Sequence, residues 1–199
     1  NTTGSSDSLD RIWNMELLPN GKILASANVD GYLSMLRFNS DLNLDSTFGS
    51  GGLVKTNTGM YNDSRTFLAQ DAQQRILLAG FQYIYRYLPN GNLDTSFGSD
   101  GRSRISNALY VNDIGFQGDG DILVAASYSS DNSSSNGGIW RMNEDGQNPT
   151  EIIGTDRTGM IVWDDGRIVV TDKDFDVQRY TRDANLEQSY DFNHGTTQS

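Results

Sequence analysis

The segment Leu44–Gly52, Leu-Asp-Ser-Thr-Phe-Gly-Ser-Gly-Gly, returns 49 residues later as Leu-Asp-Thr-Ser-Phe-Gly-Ser-Asp-Gly at Leu93–Gly101. Self-similarity at a spacing of about 20–50 residues marks a repeat architecture, in which a unit buries its apolar face only by stacking on a neighbour. Two further elements recur in the same order. The run Ile-Leu-Ala-Ser-Ala ending at Ala27 is echoed by Ile-Leu-Leu-Ala-Gly ending at Gly80, by Ile-Leu-Val-Ala-Ala ending at Ala126, and by Ile-Val-Val-Thr-Asp ending at Asp172. The leading residues are Ile23, Ile76, Ile122 and Ile168, with steps of 53, 46 and 46. After each comes a short element with a central arginine: Leu36-Arg37-Phe38, Tyr85-Arg86-Tyr87, Trp140-Arg141-Met142 and Gln178-Arg179-Tyr180, each leading into an Asp or Asn turn. The chain therefore holds four repeats.

Alternation of apolar and polar residues, rich in β-branched and aromatic side chains, predicts strands for both elements. A shorter strand is expected after the Leu-Asp motif, at Leu53–Thr56 and from Arg102 to Ile105, which gives about four strands per repeat. Acidic charge is carried by 22 Asp against 4 Glu, and Gly reaches 21. Asp, Asn, Gly and Ser favour turns through local hydrogen bonds and tolerance of positive φ, so helical repeats of similar length are excluded. The expected class is all-β, with β-propeller blades as the architecture. A β-sandwich stays open as the alternative. The boundaries read as a linker over 1–10, repeats over approximately 11–57, 58–106, 107–155 and 156–192, and a tail over 193–199.

The Leu-Asp-x-x-Phe-Gly element predicts a single helical or 3₁₀ turn that sets Leu44 and Phe48 on one side. Asp45 would accept backbone N–H groups at its start, and Gly49 would take the left-handed conformation that ends it. Leu93, Asp94, Phe97 and Gly98 repeat the pattern. Such a turn is a structural plug between one blade and the next.

Asn90–Gly101, with Gly-Lys-Ile-Leu-Ala strands in the same register, resembles the delta-60 repeat. The resemblance spans about Ile12 to Phe192 and is strongest in the first two repeats. Repeat three has Gln147-Asn-Pro-Thr-Glu-Ile where the plug belongs, and repeat four keeps only Leu186-Glu-Gln-Ser-Tyr190. The resemblance implies a propeller-like fold and an exported or surface setting in bacteria, but no activity. Four repeats lie at the lower limit for a closed ring. Either one chain closes a four-bladed ring, or an open arc is completed by further sequence or by another copy.

With 15 basic and 26 acidic residues the net charge is -11, and such a chain repels the phosphates that nucleic-acid binders neutralise. Without cysteine there are no disulfides or thiolate metal sites. No apolar run approaches the ~20 residues of a membrane-spanning helix, and no signal peptide is visible. A start without Met, polar over Asn1–Asp7, reads as a piece of a longer protein.

Residues able to do chemistry are sparse. His194, the only histidine, falls in the tail, where no triad partner is expected. Asp172-Lys-Asp-Phe-Asp176 with Asp183 looks like a calcium loop, but Val177 and Asp183 stand where Gly and a bidentate Glu belong, so a hairpin without metal is expected. Phe81, Tyr83, Tyr85 and Tyr87 form an aromatic ladder that reads as packing between blades. Trp163 occupies a turn slot filled elsewhere by Leu18, Asp71 and Gln117, and is a candidate exposed platform. The Ser129–Gly138 insertion enlarges one hairpin; Asp131 and Asn132, with Tyr128 and Trp140 beside them, complete the candidate binding residues. Asp164-Asp165 and Asp119/Asp121 are too close in sequence to give the two opposed carboxylates of a glycosidase. The sum predicts a binding or adhesion module for glycan or protein on an exported bacterial protein, such as the tip of a fibre or adhesin, with no catalytic residues, cofactor or metal. A structural spacer that oligomerises is the alternative, and a carbohydrate hydrolase the third reading.

Overall fold

A computed structural model describes residues 10–58, 65–106, 108, 110–128, 137–154, 157–172, 176–192 and 195–198. Among them every regular element is a strand. The first sheet contains β1 (Arg11–Leu17), β2 (Ile23–Val29), β3 (Tyr32–Phe38) and β4 (Leu53–Thr56). The second contains β5 (Thr66–Gln70), β6 (Ile76–Gly80), β7 (Tyr83–Tyr87) and β8 (Arg102–Arg104). The third contains β9 (Tyr110–Phe116), β10 (Ile122–Ser127), β11 (Gly137–Met142) and β12 (Thr150–Gly154). The fourth contains β13 (Arg157–Val162), β14 (Ile168–Asp172), β15 (Val177–Tyr180), β16 (Leu186–Asp191) and β17 (Thr196–Gln198). Strand order follows chain order in every sheet, which gives four antiparallel meanders, one per repeat. β17 falls within the segment expected as tail.

The chain divides into two compact units, Asn1–Gly101 and Arg102–Ser199. Side chains alternate across each strand, so every sheet has two faces. In the first unit, Leu24, Leu33, Met35 and Val54 from the first sheet, with Phe48 from the turn between β3 and β4, pack with Leu68, Ile76, Leu78, Tyr85 and Tyr87 from the second. In the second unit, Leu123, Ala125, Ile139 and Ile153 from the third sheet pack with Met160, Ile168, Val170 and Tyr180 from the fourth. The two cores use equivalent positions. In each, the second face of one blade meets the first face of the next.

Turns keep the repeat in register. The backbone N–H of Leu18, Asp71, Gln117 and Trp163 donates to the carbonyl four residues on, at 2.8, 3.0, 2.8 and 2.9 Å, so these four residues share one slot. Asp30 and Gly31 join β2 to β3 with positive φ at both positions, as a tight hairpin of the right twist requires. Phe81 takes the first turn position between β6 and β7 with φ 58°. It therefore leaves the aromatic ladder, while Tyr85 and Tyr87 are buried and Tyr83 packs beside them.

Candidate functional site

The plug is built around a buried carboxylate. Phe48 N–H donates to the Asp45 carbonyl at 3.0 Å, closing one tight turn. Asp45 Oδ1 accepts the Thr47 N–H and hydroxyl at 3.1 and 2.6 Å. Its Oδ2 accepts Lys22 Nζ at 2.7 Å and Arg37 Nε at 2.6 Å. Lys22, then Thr47 and Arg37, hold the Asp45 carboxyl well below the usual carboxylate range. Phe48 is fully buried, a gain of about 2–3 kcal/mol for a side chain of that size, and the Arg37 guanidinium lies 4.3 Å from its ring centre. Leu44 does not join Phe48. It is exposed and its Cβ lies where a side chain on Gly52 would be, 2.8 Å away, because the turn directs residues one and five to opposite sides of the segment.

Arg37 also crosses to the next blade. Its Nη1 donates to the Pro89 carbonyl at 2.6 Å, and Gly49 N–H donates to the Asn90 carbonyl at 2.9 Å. Gly49 has φ 53°, and an added Cβ on Gly91 would sit 2.9 Å from both Gly49 N and Val54 Cγ2. The blade seam needs both glycines.

The second repeat reproduces the plug. Arg86 Nε meets Asp94 Oδ2 at 2.7 Å, Ser96 replaces Thr47, and Arg86 lies 4.7 Å from the ring centre of Phe97. Burial pushes the Asp94 carboxyl up, but the bonds from Ser96 and Arg86 outweigh it and the net direction is down. In the fourth repeat Glu187 takes the acid position and accepts Arg179 Nε at 3.0 Å, although β16 replaces the turn. In the third, Pro149 occupies that position, and Arg141 Nε is buried without a partner among the described residues. Arg141 Nη2 still donates to the Arg182 carbonyl of the following hairpin, as Arg37 does to Pro89. Sequence reasoning missed this clasp. Its signal was present: an arginine in every third strand with an acid eight residues later in three repeats.

The residues expected to bind ligand are dispersed. Asp131, Asn132 and His194 lie outside the described residues, as do 173–175 of the calcium-like segment. Trp140 is buried and meets Tyr128 edge to face at 5.4 Å, while the Tyr128 hydroxyl donates to Glu151 at 3.0 Å. Trp163 is 38% exposed, and the Arg167 guanidinium lies 4.5 Å from its ring centre. Asp165 accepts Arg167 Nε at 2.8 Å, Asp119 pairs with Arg182, and Asp119 Oδ1 accepts the Asp121 N–H at 3.2 Å. These acids organise turns. Two other carboxylates are shifted upward by burial: Glu16 on β1, and Asp113 on β9, whose Oδ2 accepts the Met160 N–H at 3.0 Å.

Among the described residues, the first face of the first sheet and the second face of the fourth are apolar and open. Met15 on β1 is 66% exposed, whereas its counterparts Leu68 and Met160 are 8% and 9% exposed. Leu17 and Tyr32 share that first face and are exposed too. On the fourth sheet the open face is the second one, with Ile161, Trp163, Val177 and Tyr190. Trp163 stands where Leu18 is 4% exposed, and Val177 where Met35 and Ile139 are fully buried.

Four meanders of four to five strands and repeat-matched seams define a protein of the β-propeller class. The model of a β-propeller domain family of unknown function, DUF5122, matches residues 18–48, 75–97 and 117–147. Each match ends at the plug or its third-repeat counterpart. No curated protein sequence matches the chain. Among solved structures it is similar to a catalytically inactive virginiamycin B lyase from Staphylococcus aureus, with TM-score 0.64 and 13% identity over 91% of this chain and 55% of that one. It is also similar to a gluconolactonase from Xanthomonas campestris, with TM-score 0.59 and 18% identity over 87% and 59%. A third similar structure is a protein of unknown function from Bacteroides caccae, with TM-score 0.57 and 13% identity over 89% and 65%. The chain thus spans between 55% and 65% of the length of these structures. At such identities the likeness shows the fold alone. It nevertheless corrects one expectation: a lyase and a gluconolactonase share this fold, so the lack of a recognisable catalytic motif does not make the chain a non-enzyme. No helix is long and apolar enough to cross a membrane among the described residues.

Proposed function

We propose that the chain is a protein-binding module of an exported bacterial protein, and that it works through the open apolar faces of its first and fourth blades. The observation that carries this reading is Met15, 66% exposed where the equivalent Leu68 and Met160 are 8% and 9% exposed. Contiguous exposed apolar surface on a soluble domain marks an interaction site. A protein surface suits these faces better than a glycan, because the Trp163 ring is already covered by the Arg167 guanidinium. What supports an exported setting is the delta-60 resemblance, together with a similar fold in the extracellular domain of a Bacteroides thetaiotaomicron two-component system, with TM-score 0.61 and 15% identity over 95% of this chain and 25% of that one.

The test is the fluorescence of an apolar dye, anilinonaphthalene sulfonate, with dilute folded protein. Strong enhancement that falls in Met15→Lys and Ile161→Lys is the expected result. A dye signal that ignores both substitutions, or glycan-array binding lost in Trp163→Ala, contradicts the reading.

A further inference from the structure

The seam inside each unit follows the same rule. The second face of a blade receives the first face of the next, and the third-strand arginine donates to a carbonyl in the next blade's hairpin: Arg37 to Pro89 in one unit, Arg141 to Arg182 in the other. The fourth blade has the donor side of this seam ready. Val169, Val177 and Tyr190 occupy the positions of Leu24, Met35 and Val54, and Arg179 stands in the register of Arg37. The first blade has the receiving side. Met15, Leu17, Ile23 and Leu36 occupy the positions of Leu68, Gln70, Ile76 and Tyr85.

The departures on the two sides also match. In the seam of the first unit, Gly91 fits tightly against Gly49 and Val54. Its counterpart in the first blade is Leu42, exposed and held at φ 65°, a strained conformation for a leucine. A leucine does not fit against a plug of the Phe48-Gly49 kind. The fourth blade has no such plug: its chain continues as β16 through Tyr190. The bulkier knob and the lost plug belong to the two open faces of one sequence.

We infer that the fourth blade of one copy docks on the first blade of a second copy, head to tail, with Arg179 donating to the Ser40 carbonyl of that copy and Leu42 of the second copy packing beside Tyr190 of the first. This inference rests on the protein-binding reading above and names the partner. The contact is heterologous, so it generates a closed ring when the rotation closes and a filament when it does not.

Two singly blocked variants test it by light scattering on a sizing column. Met15→Lys with Leu17→Lys blocks the first blade, and Ile161→Lys with Val177→Lys blocks the fourth. All four side chains are exposed, and circular dichroism checks that both variants fold. The native chain is expected to gain mass with concentration, each variant to remain a monomer, and an equimolar mixture of the two to form a dimer and stop. Because the chain has no cysteine, Leu42→Cys on one molecule and Tyr190→Cys on another give a second readout, a mixed disulfide that forms selectively over either homodimer. A native chain that stays monomeric at every concentration overturns the inference, as does a blocked variant that still associates. The mixed disulfide failing to exceed the homodimers does so too. A monomer whose dye signal still depends on Met15 and Ile161 leaves the protein-binding reading standing. A monomer without that signal removes both.

Discussion

Arg37 Nε lies 2.6 Å from Asp45 Oδ2, and through this one pair the plug, the Phe48 ring and the next blade's hairpin are tied together. The arginine supplies three interactions at once: an ion pair within the blade, a cation over an aromatic face, and a donor to the Pro89 carbonyl across the seam. Lysine could not replace it, since a single ammonium lacks the planar fork.

Asp45→Ala should therefore cost on the order of 3 kcal/mol, the range for removing one partner of a buried pair. The Asp45 carboxyl is held low in the folded chain, so the unfolded state binds its proton first. Stability from this group is full above about pH 4, the value for an unfolded aspartate, and declines as pH falls below it toward the folded value. Urea unfolding at pH 7 and pH 3 checks both points: the native chain loses more on acidification than Asp45→Asn does.

Tyr87 gives the opposite sign. Burial pushes its phenol up to about 12, and its hydroxyl is 2.5 Å from that of Thr56. The folded state keeps the proton longer than an unfolded tyrosine, which titrates near 10. This contribution is complete below about pH 10 and disappears as pH rises through about 12. Tyr87→Phe should flatten the alkaline limb of the stability profile, measured by guanidinium unfolding between pH 8 and pH 11.

The unpartnered Arg141 Nε can be given its acid. Pro149→Asp should be more stable than Pro149→Ala by about 1 kcal/mol, and that margin should vanish in an Arg141→Met background. Equal stabilities in the native background would mean that the side chain at 149 does not reach the guanidinium.

Two glycines with similar φ separate strain from crowding. Gly21 has φ 79° with open space around it, whereas Gly91 has φ 87° and neighbours at 2.9 Å. Gly21→Ala should cost about 1 kcal/mol from backbone strain alone. Gly91→Ala should cost at least twice as much, read as the difference in unfolding midpoints.

The repeat made the strands legible. Ile23, Ile76, Ile122 and Ile168 each lie in the second strand of a sheet, and β4 occupies Leu53–Thr56 as expected. The turn slot of Leu18, Asp71, Gln117 and Trp163 was legible for the same reason, since a one-residue slip would turn every core residue outward. The Arg37–Asp45 clasp was not, because a polar pair eight residues apart has no periodicity to announce it. Nor was the separation of Leu44 from Phe48, since a four-residue spacing puts side chains together only on a continuing helix. The open faces escaped too: Met15 and Leu68 look alike in sequence, and they differ only in that the first sheet packs over Leu68. The non-enzyme expectation failed on different grounds, because catalytic groups brought together by a fold need carry no local motif.

Methionine oxidation tests the central claim most directly. Dilute protein is treated briefly with hydrogen peroxide, and the sulfoxide at each site is followed by peptide mass spectrometry. With Met15 exposed and Met35 and Met142 buried, Met15 should oxidise at least tenfold faster than either, and should slow toward them as concentration rises and copies associate. Met15 as protected as Met35 in dilute monomer would contradict the account.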